Sequence, residues 1–272
     1  MILGTVFLFG LLVGSFLNVC IARLPEGRSI VSPPSHCPRC ATPIRWYDNI
    51  PLLSFLVLRG RCRSCGHGIS WRYPLVELLN ALFFLGCVLQ FGITGEAVVM
   101  MALCSSLLVI TFIDIDHQII PDVITLPGMV LGLLVGPFFM TPLAAPLPFN
   151  SAPFAGSYVT GLLNSILGLL LGGGPLWLIG LLWEKLRKIE AMGGGDVKLM
   201  GMVGSLLAWQ GAFLTILLGA FAGSVVGTAL IVAKKHRADA VIPFGPFLAA
   251  GAFITAFFGP DLKEWYFGMF RL

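Results

Sequence analysis

Charge is scarce in this chain. Only 11% of its 272 residues are Asp, Glu, Lys or Arg, against roughly a quarter in soluble domains, which excludes an ordinary water-soluble globule. No basic stretch precedes the first apolar run, which leads straight into a charged loop. That run is therefore expected to be a retained span rather than a cleavable signal. No period of roughly 20–50 residues recurs, which excludes a solenoid or propeller. The basic and aromatic residues are not arranged to suit a nucleic acid, and none is expected as a partner. No strand, glycine loop and helix follow one another in the Rossmann pattern.

What fills the chain instead is apolar sequence, with a mean hydropathy of +0.93. Runs long enough to cross ~30 Å of hydrocarbon recur along it. The expected spans are 2–21, 74–92, 96–113, 123–140, 158–182, 197–208, 212–233 and 242–259, with the short sixth able to merge with the seventh as a hairpin. Glycine is frequent within them, as expected where helices approach closely. In this eight-span arrangement fifteen of the seventeen Lys and Arg residues fall on one side, leaving Lys263 and Arg271 on the other. The basic side is expected to be cytoplasmic, with both termini outward. The uncharged, proline-rich segment 141–157 is expected to be an outward loop.

The one sizeable polar region, 22–73, is too small to hold a large core unaided. It contains Cys37-Pro-Arg-Cys40 and, 21 residues on, Cys62-Arg-Ser-Cys65. Four thiolates in two such knuckles complete a closed tetrahedral zinc shell, with no position left for substrate. Metal binding would also supply the missing folding energy. The rival reading, a disulfide or redox pair, is disfavoured in the cytoplasm. His36 and His67 are expected at the surface, and Cys20, Cys87 and Cys104 as small buried hydrophobes.

Acids inside or at the edge of a span point to function. One is Asp196, directly behind Gly193-Gly-Gly195; another segment, Asp114-Ile-Asp116 to Pro121-Asp122, closes the third span. Both segments belong to the same membrane face, so Asp114 or Asp116 can meet Asp196. Two carboxylates in one site share a proton, which provides one acid and one base. Asp114 and Asp116 are ~200° apart on a helix, so only one can face that partner. Asp122, directly after Pro121, is read as a cap for the fourth span. The glycines let the backbone at Asp196 leave the helix and approach another chain. A helix starting there favours the anion. An extended substrate strand would lie against that backbone.

At these residues the chain resembles the type IV prepilin peptidases, membrane aspartyl proteases of the G-x-G-D class. The resemblance runs nearly the whole length: Gly14-Ser-Phe-Leu-Asn18 with Arg23-Leu-Pro25, both cysteine knuckles, Arg72-Tyr-Pro-Leu-Val-Glu77, the Asp114 to Asp122 segment, Gly193 to Lys198, and Ile242-Pro-Phe-Gly-Pro246. It implies an all-α polytopic enzyme of about eight transmembrane helices with a small cytoplasmic zinc-ribbon-like domain. The implied divisions are a first helix (1–21), the zinc domain (22–73), a seven-helix peptidase core (74–260) and a periplasmic tail (261–272). The implied activity is removal of the basic leader from prepilins or pseudopilins at the cytoplasmic face of the bacterial inner membrane, followed by N-methylation from S-adenosylmethionine. Carried over by position, Asp114 and Asp196 are catalytic, and Cys37, Cys40, Cys62 and Cys65 hold zinc. Gly60 and Glu77 are candidates for the methyl-donor site. Asn18 and Glu77 equally suit interhelical hydrogen bonds. Two other classes compete: an ion- or proton-coupled carrier, which would need acids at several depths, and a non-catalytic zinc-ribbon scaffold of a secretion complex, which would need neither aspartate.

Overall fold

The computed structural model describes residues 1–138, 158–187, 193–233 and 242–268. The segment 141–157 and Lys188, Lys234, Lys235, Arg237 and Arg271 lie outside the described residues. The described chain runs through α1 (Ile2–Arg23), the short α2 (Leu53–Val57), α3 (Arg72–Phe91), α4 (Gly95–His117), α5 (Asp122–Val135), α6 (Tyr158–Arg187), α7 (Gly194–Val232) and α8 (Gly245–Gly268). Pairing of the strand type among the described residues is limited to two isolated bridges, His36–Pro43 and Arg61–Gly68. Six of these helices are long and apolar enough to cross a bilayer, and α5 is a shorter apolar one. This is a multi-pass membrane protein.

The missing count lies in α7, whose 39 residues are broken at Ala208, with φ 60 and ψ 177. A Cβ built on Gly204 would lie 3.3 Å from the Cβ of Ala212, although eight residues of straight helix span ~12 Å. α7 therefore doubles back, and its two arms are the expected sixth and seventh spans. Each of the eight apolar segments carries a helix among the described residues, with the sixth and seventh joined as a hairpin. The 14 residues of α5 rise only ~21 Å, short of a ~30 Å hydrocarbon core; the first arm of α7 is equally short.

The helices form two compact units, Met1–Ile113 and Asp114–Leu272. In the first, α1 and α3 run antiparallel with their backbones almost touching. Cβ atoms on Gly10 and Gly14 would sit 2.7 Å from the Cα atoms of Ala81 and Glu77. Lipid provides no hydrophobic drive between helices, so such close approach and polar ties must hold them. The ties are Asn18 Nδ2 donating to Tyr73 O (3.1 Å), Asn80 Nδ2 to Gly10 O (2.8 Å), and Ser105 Oγ to Asn80 Oδ1 (2.8 Å). In the second unit α6 meets the first arm of α7 at Gly168 and Gly204, where any added Cβ would run into the facing carbonyl. Gly172 and Gly173, from the other triple glycine, pack on the carbonyls of Met200 and Val197. They serve helix packing.

Candidate active site and metal centre

Three helix ends meet around Asp114. The residue lies in the last turn of α4 and is 5% exposed. Gln118, with φ 54, donates its N–H to Asp114 O (2.9 Å), and Pro121 then starts α5. The Asp114 carboxylate reaches the N-terminus of α8, where Oδ2 accepts the Gly245 N–H at 3.0 Å. A Cβ at Gly245 would stand 2.6 Å from that oxygen. Asp116 is exposed, on the other side of the helix as its spacing requires.

Asp196 lies in the first turn of α7, where its N–H bonds Gly193 O at 3.2 Å. Ile120 links the two acids. Its Cδ1 is 3.4 Å from the Cβ position of Gly195 and 3.3 Å from that of Gly245. The Ile120 side chain is thus wedged between the neighbour of Asp196 and the glycine bonded to Asp114. Of the three glycines only Gly195 is needed for close packing, since its Cβ would lie 2.8 Å from Ile120 Cβ. An added Cβ at Gly194 meets nothing within 4 Å, and one at Gly193 meets only Gly195 N at 4.0 Å. Those two leave open backbone beside Asp196.

Sequence reasoning gave Gly245 and Ile120 no role, because their meaning lies in contacts between helix ends. It also read Asp122 as a cap, whereas no side chain caps α5. Instead, both Asp122 oxygens accept from Lys198 Nζ at 2.7 Å. The pair is partly exposed and is worth about 0–1 kcal/mol, so it guides α5 and α7 together more than it stabilises them.

The cysteine cluster is built twice from one backbone plan, 25 residues apart (62 − 37). Cys37 N–H bonds Thr42 O and Cys62 N–H bonds His67 O; Ala41 bonds back to Cys37, and Gly66 to Cys62; Ile44 pairs with Ser35, and Ile69 with Gly60. Ala41 and Gly66, each following a second cysteine, take φ 54 and φ 68. The four Sγ atoms lie within 4.8 Å of one another, with Cys37 and Cys65 3.8 Å apart. A tetrahedral zinc with ~2.3 Å bonds places sulfurs ~3.8 Å apart, so the donor set fits the ion. The Thr42 hydroxyl, 3.3 Å from Cys40 Sγ, helps bring that thiol down to about 6, and backbone N–H groups of Cys65 and Ser64 lower Cys62. Those two shifts favour ligating thiolates, while the His67 backbone N–H is outweighed at Cys65 by desolvation and the neighbouring thiols, which push that thiol up to about 11. His36 and His67 are exposed and outside the cluster, while Cys20, Cys87 and Cys104 are buried. Arg63 clamps the module to its own 3-10 turn (Trp46–Asn49) through Asp48, at 2.6 to 3.1 Å.

Glu77 is buried and its Oε2 accepts the N–H of Leu52 at 2.9 Å. Leu52 has φ 57, so this carboxylate ties a left-handed bend of the zinc loop to α3. Gly60, with φ 65, instead lines a surface cavity of the same module.

Residues 8–91 match the bacterial peptidase A24 N-terminal domain, and residues 101–228 the type IV leader peptidase family. Among similar proteins is a prepilin leader peptidase/N-methyltransferase of Myxococcus xanthus, 42% identical over 233 residues that cover 85% of this chain and 64% of that protein. Proteins of the same name from Aeromonas salmonicida and Pseudomonas aeruginosa are 36% and 37% identical, over 96% and 95% of this chain and 92% and 91% of their own. No solved structure matches the chain. With both cysteine knuckles in the first matched region and both acids in the second, at this identity and coverage, the chain belongs to the type IV leader peptidase family.

Proposed function

We propose that this enzyme removes the leader peptide of type IV prepilins or pseudopilins with an Asp114–Asp196 pair, and then methylates the new N-terminus. The observation that carries the reading is the gathering of the α4, α7 and α8 ends, where Ile120 packs on both the neighbour of Asp196 and the glycine bonded to Asp114 although 82 residues separate the two acids in sequence (196 − 114). The pair shares one proton: one carboxylate takes a proton from the attacking water while the other protonates the departing amine. The Gly245 N–H orients Asp114, and Ile120 packs between the helix ends that carry the two acids. The open Gly193–Gly194 backbone accepts the scissile segment in an extended form. The clustering of both acids at one set of helix ends supports a peptidase over a carrier, which would need acids at several depths.

Cys37, Cys40, Cys62 and Cys65 hold a structural zinc that closes the small module. S-adenosylmethionine supplies an activated methyl group. The active site and zinc module face the cytoplasm, on the strength of the basic residues from Arg23 to Arg72. The test is to incubate the purified protein with a prepilin and measure product mass with and without S-adenosylmethionine. Loss of the leader in both samples, with a further methyl mass only when the donor is present, is expected. An intact prepilin in both would overturn the proposal.

A further inference from the structure

The short helix α2 turns an apolar side outward. Leu53, Leu56 and Val57 are 54%, 67% and 67% exposed, and their i, i+3, i+4 spacing puts them on one side of the helix. Trp71, 75% exposed, borders that side, since it shares the lining of a cavity of about 320 Å³ with Leu56 and Arg59. We propose that this face is seated in the headgroup layer of the bilayer beside α3, with anionic lipid as its partner and Arg59 against the lipid phosphates. The seat requires that α3 spans the membrane and draws on neither reaction proposed above.

Two ties set the height of α2. Glu77, in the second turn of α3, accepts the Leu52 N–H on Oε2 at 2.9 Å. Its Cα lies about 7.5 Å along the helix from Arg72, and helical side chains lean back toward the N-terminus. The first end of α2 is thus held beside the first two turns of a membrane span. Further along, the Phe55 ring packs on Trp71 with centroids 4.8 Å apart, directly before the start of α3. Interfacial helices bury their apolar side about 5–10 Å into this layer, and tryptophan concentrates there. Beyond Trp71, the exposed Tyr73, Leu75 and Leu78 begin the lipid-facing side of α3.

Water alone would support this arrangement poorly. Five residues are far fewer than a helix needs to stand by itself, and an uncovered apolar patch marks a contact surface. Charge then selects the lipid. Between 41 and 73 stand Arg45, Arg59, Arg61, Arg63 and Arg72 against the single acid Asp48. A four-thiolate zinc adds about two negative charges, and the balance stays positive. Such a surface attracts acidic headgroups and repels a basic peptide. Arg59 is fixed in place by the end of α2, where its N–H bonds Leu56 O at 3.1 Å and its backbone turns left-handed with φ 51. Its guanidinium therefore leaves the helix beside the apolar side rather than opposite it.

The test uses the full-length zinc-loaded protein in phosphatidylcholine vesicles made with and without phosphatidylglycerol. A photoactivated p-benzoylphenylalanine in place of Leu56 should crosslink to lipid, and one in place of Ser64, exposed on the second knuckle, should not. Crosslinks from position 56 to a protein chain, or lipid crosslinks no more frequent there than from position 64, overturn the seat. The amides of Leu56 and Leu58, bonded to Leu52 O and Ser54 O, should exchange about tenfold more slowly when phosphatidylglycerol is present. The Arg59→Gln, Arg61→Gln double variant should lose that dependence on phosphatidylglycerol, with zinc content showing that the module stays folded. Equal exchange in the two kinds of vesicle, or a double variant that responds as the parent does, overturns the assignment of anionic lipid as the partner.

Discussion

Single atoms decide the geometry around Asp114. A methyl group at residue 245 would fall 2.6 Å from the carboxylate oxygen that the Gly245 N–H now holds. Gly245→Ala must therefore shift α8 or turn the carboxylate, and displacement of about 1 Å costs on the order of 100-fold in rate. Gly195→Ala meets Ile120 and should cost a similar factor. Gly194→Ala has open space and should cleave within about threefold of the parent. Initial rates of prepilin cleavage by the three variants, matched for thermal stability, check the series, and equal rates throughout would show that the Asp114–Ile120 geometry does not matter. That Asp114 is buried and Asp116 exposed was half legible, since helical spacing separates the two acids but cannot say which faces inward. Gly245 was not legible as a partner. Its bond to Asp114 joins residues 131 apart, and no local pattern reports on such a distance.

Among elements, the zinc module was the most legible because ligand spacing is a short-range property. What the spacing could not show is that the two knuckles repeat one set of backbone bonds, since the intervening residues differ in all but the cysteines and the closing isoleucines Ile44 and Ile69. The module has little buried apolar area and is expected to depend on its metal. Freshly isolated protein should carry about one zinc per chain, lost from the Cys37→Ser, Cys40→Ser double variant. Limited proteolysis should then cut within 24–71 while the helices stay resistant, because their packing uses other contacts. A metal-free disulfide in fresh protein would sink this account. The hairpin in α7 was only partly legible. The break was expected between 208 and 212, where Gln210 and Gly211 interrupt the apolar run, but that Ala208 itself takes the reversal, with φ 60, had no local signal.

Across the whole molecule, the proposed aspartate pair lies in the unit Asp114–Leu272 and the cysteine cluster in the unit Met1–Ile113. Sidedness is accessible first. With the native cysteines buried or zinc-bound, Ile93→Cys should react with an impermeant maleimide on spheroplasts and Gly194→Cys should not, and the reverse would place the site outside. Separability of the two reactions follows from what each one asks of the protein. Cleavage needs an ionisable group at both aspartate positions, because one takes a proton while the other gives one. Asn is nearly isosteric with Asp but cannot carry that proton. Asp114→Asn and Asp196→Asn should each abolish cleavage, and the double variant should be scarcely worse, since groups acting as a unit are not additive. Methyl transfer needs a bound donor and a free amine in line with it, and no carboxylate pair enters that step. Both single variants should still methylate a pilin supplied already cleaved, while Asp116→Asn and Asp122→Asn should still cut. Mass analysis of both reactions on all four folded variants decides the matter. Cleavage by Asp114→Asn with an inactive Asp116→Asn would mean that the other face of α4 holds the catalytic acid, and cleavage by Asp196→Asn would remove the aspartate-pair mechanism altogether.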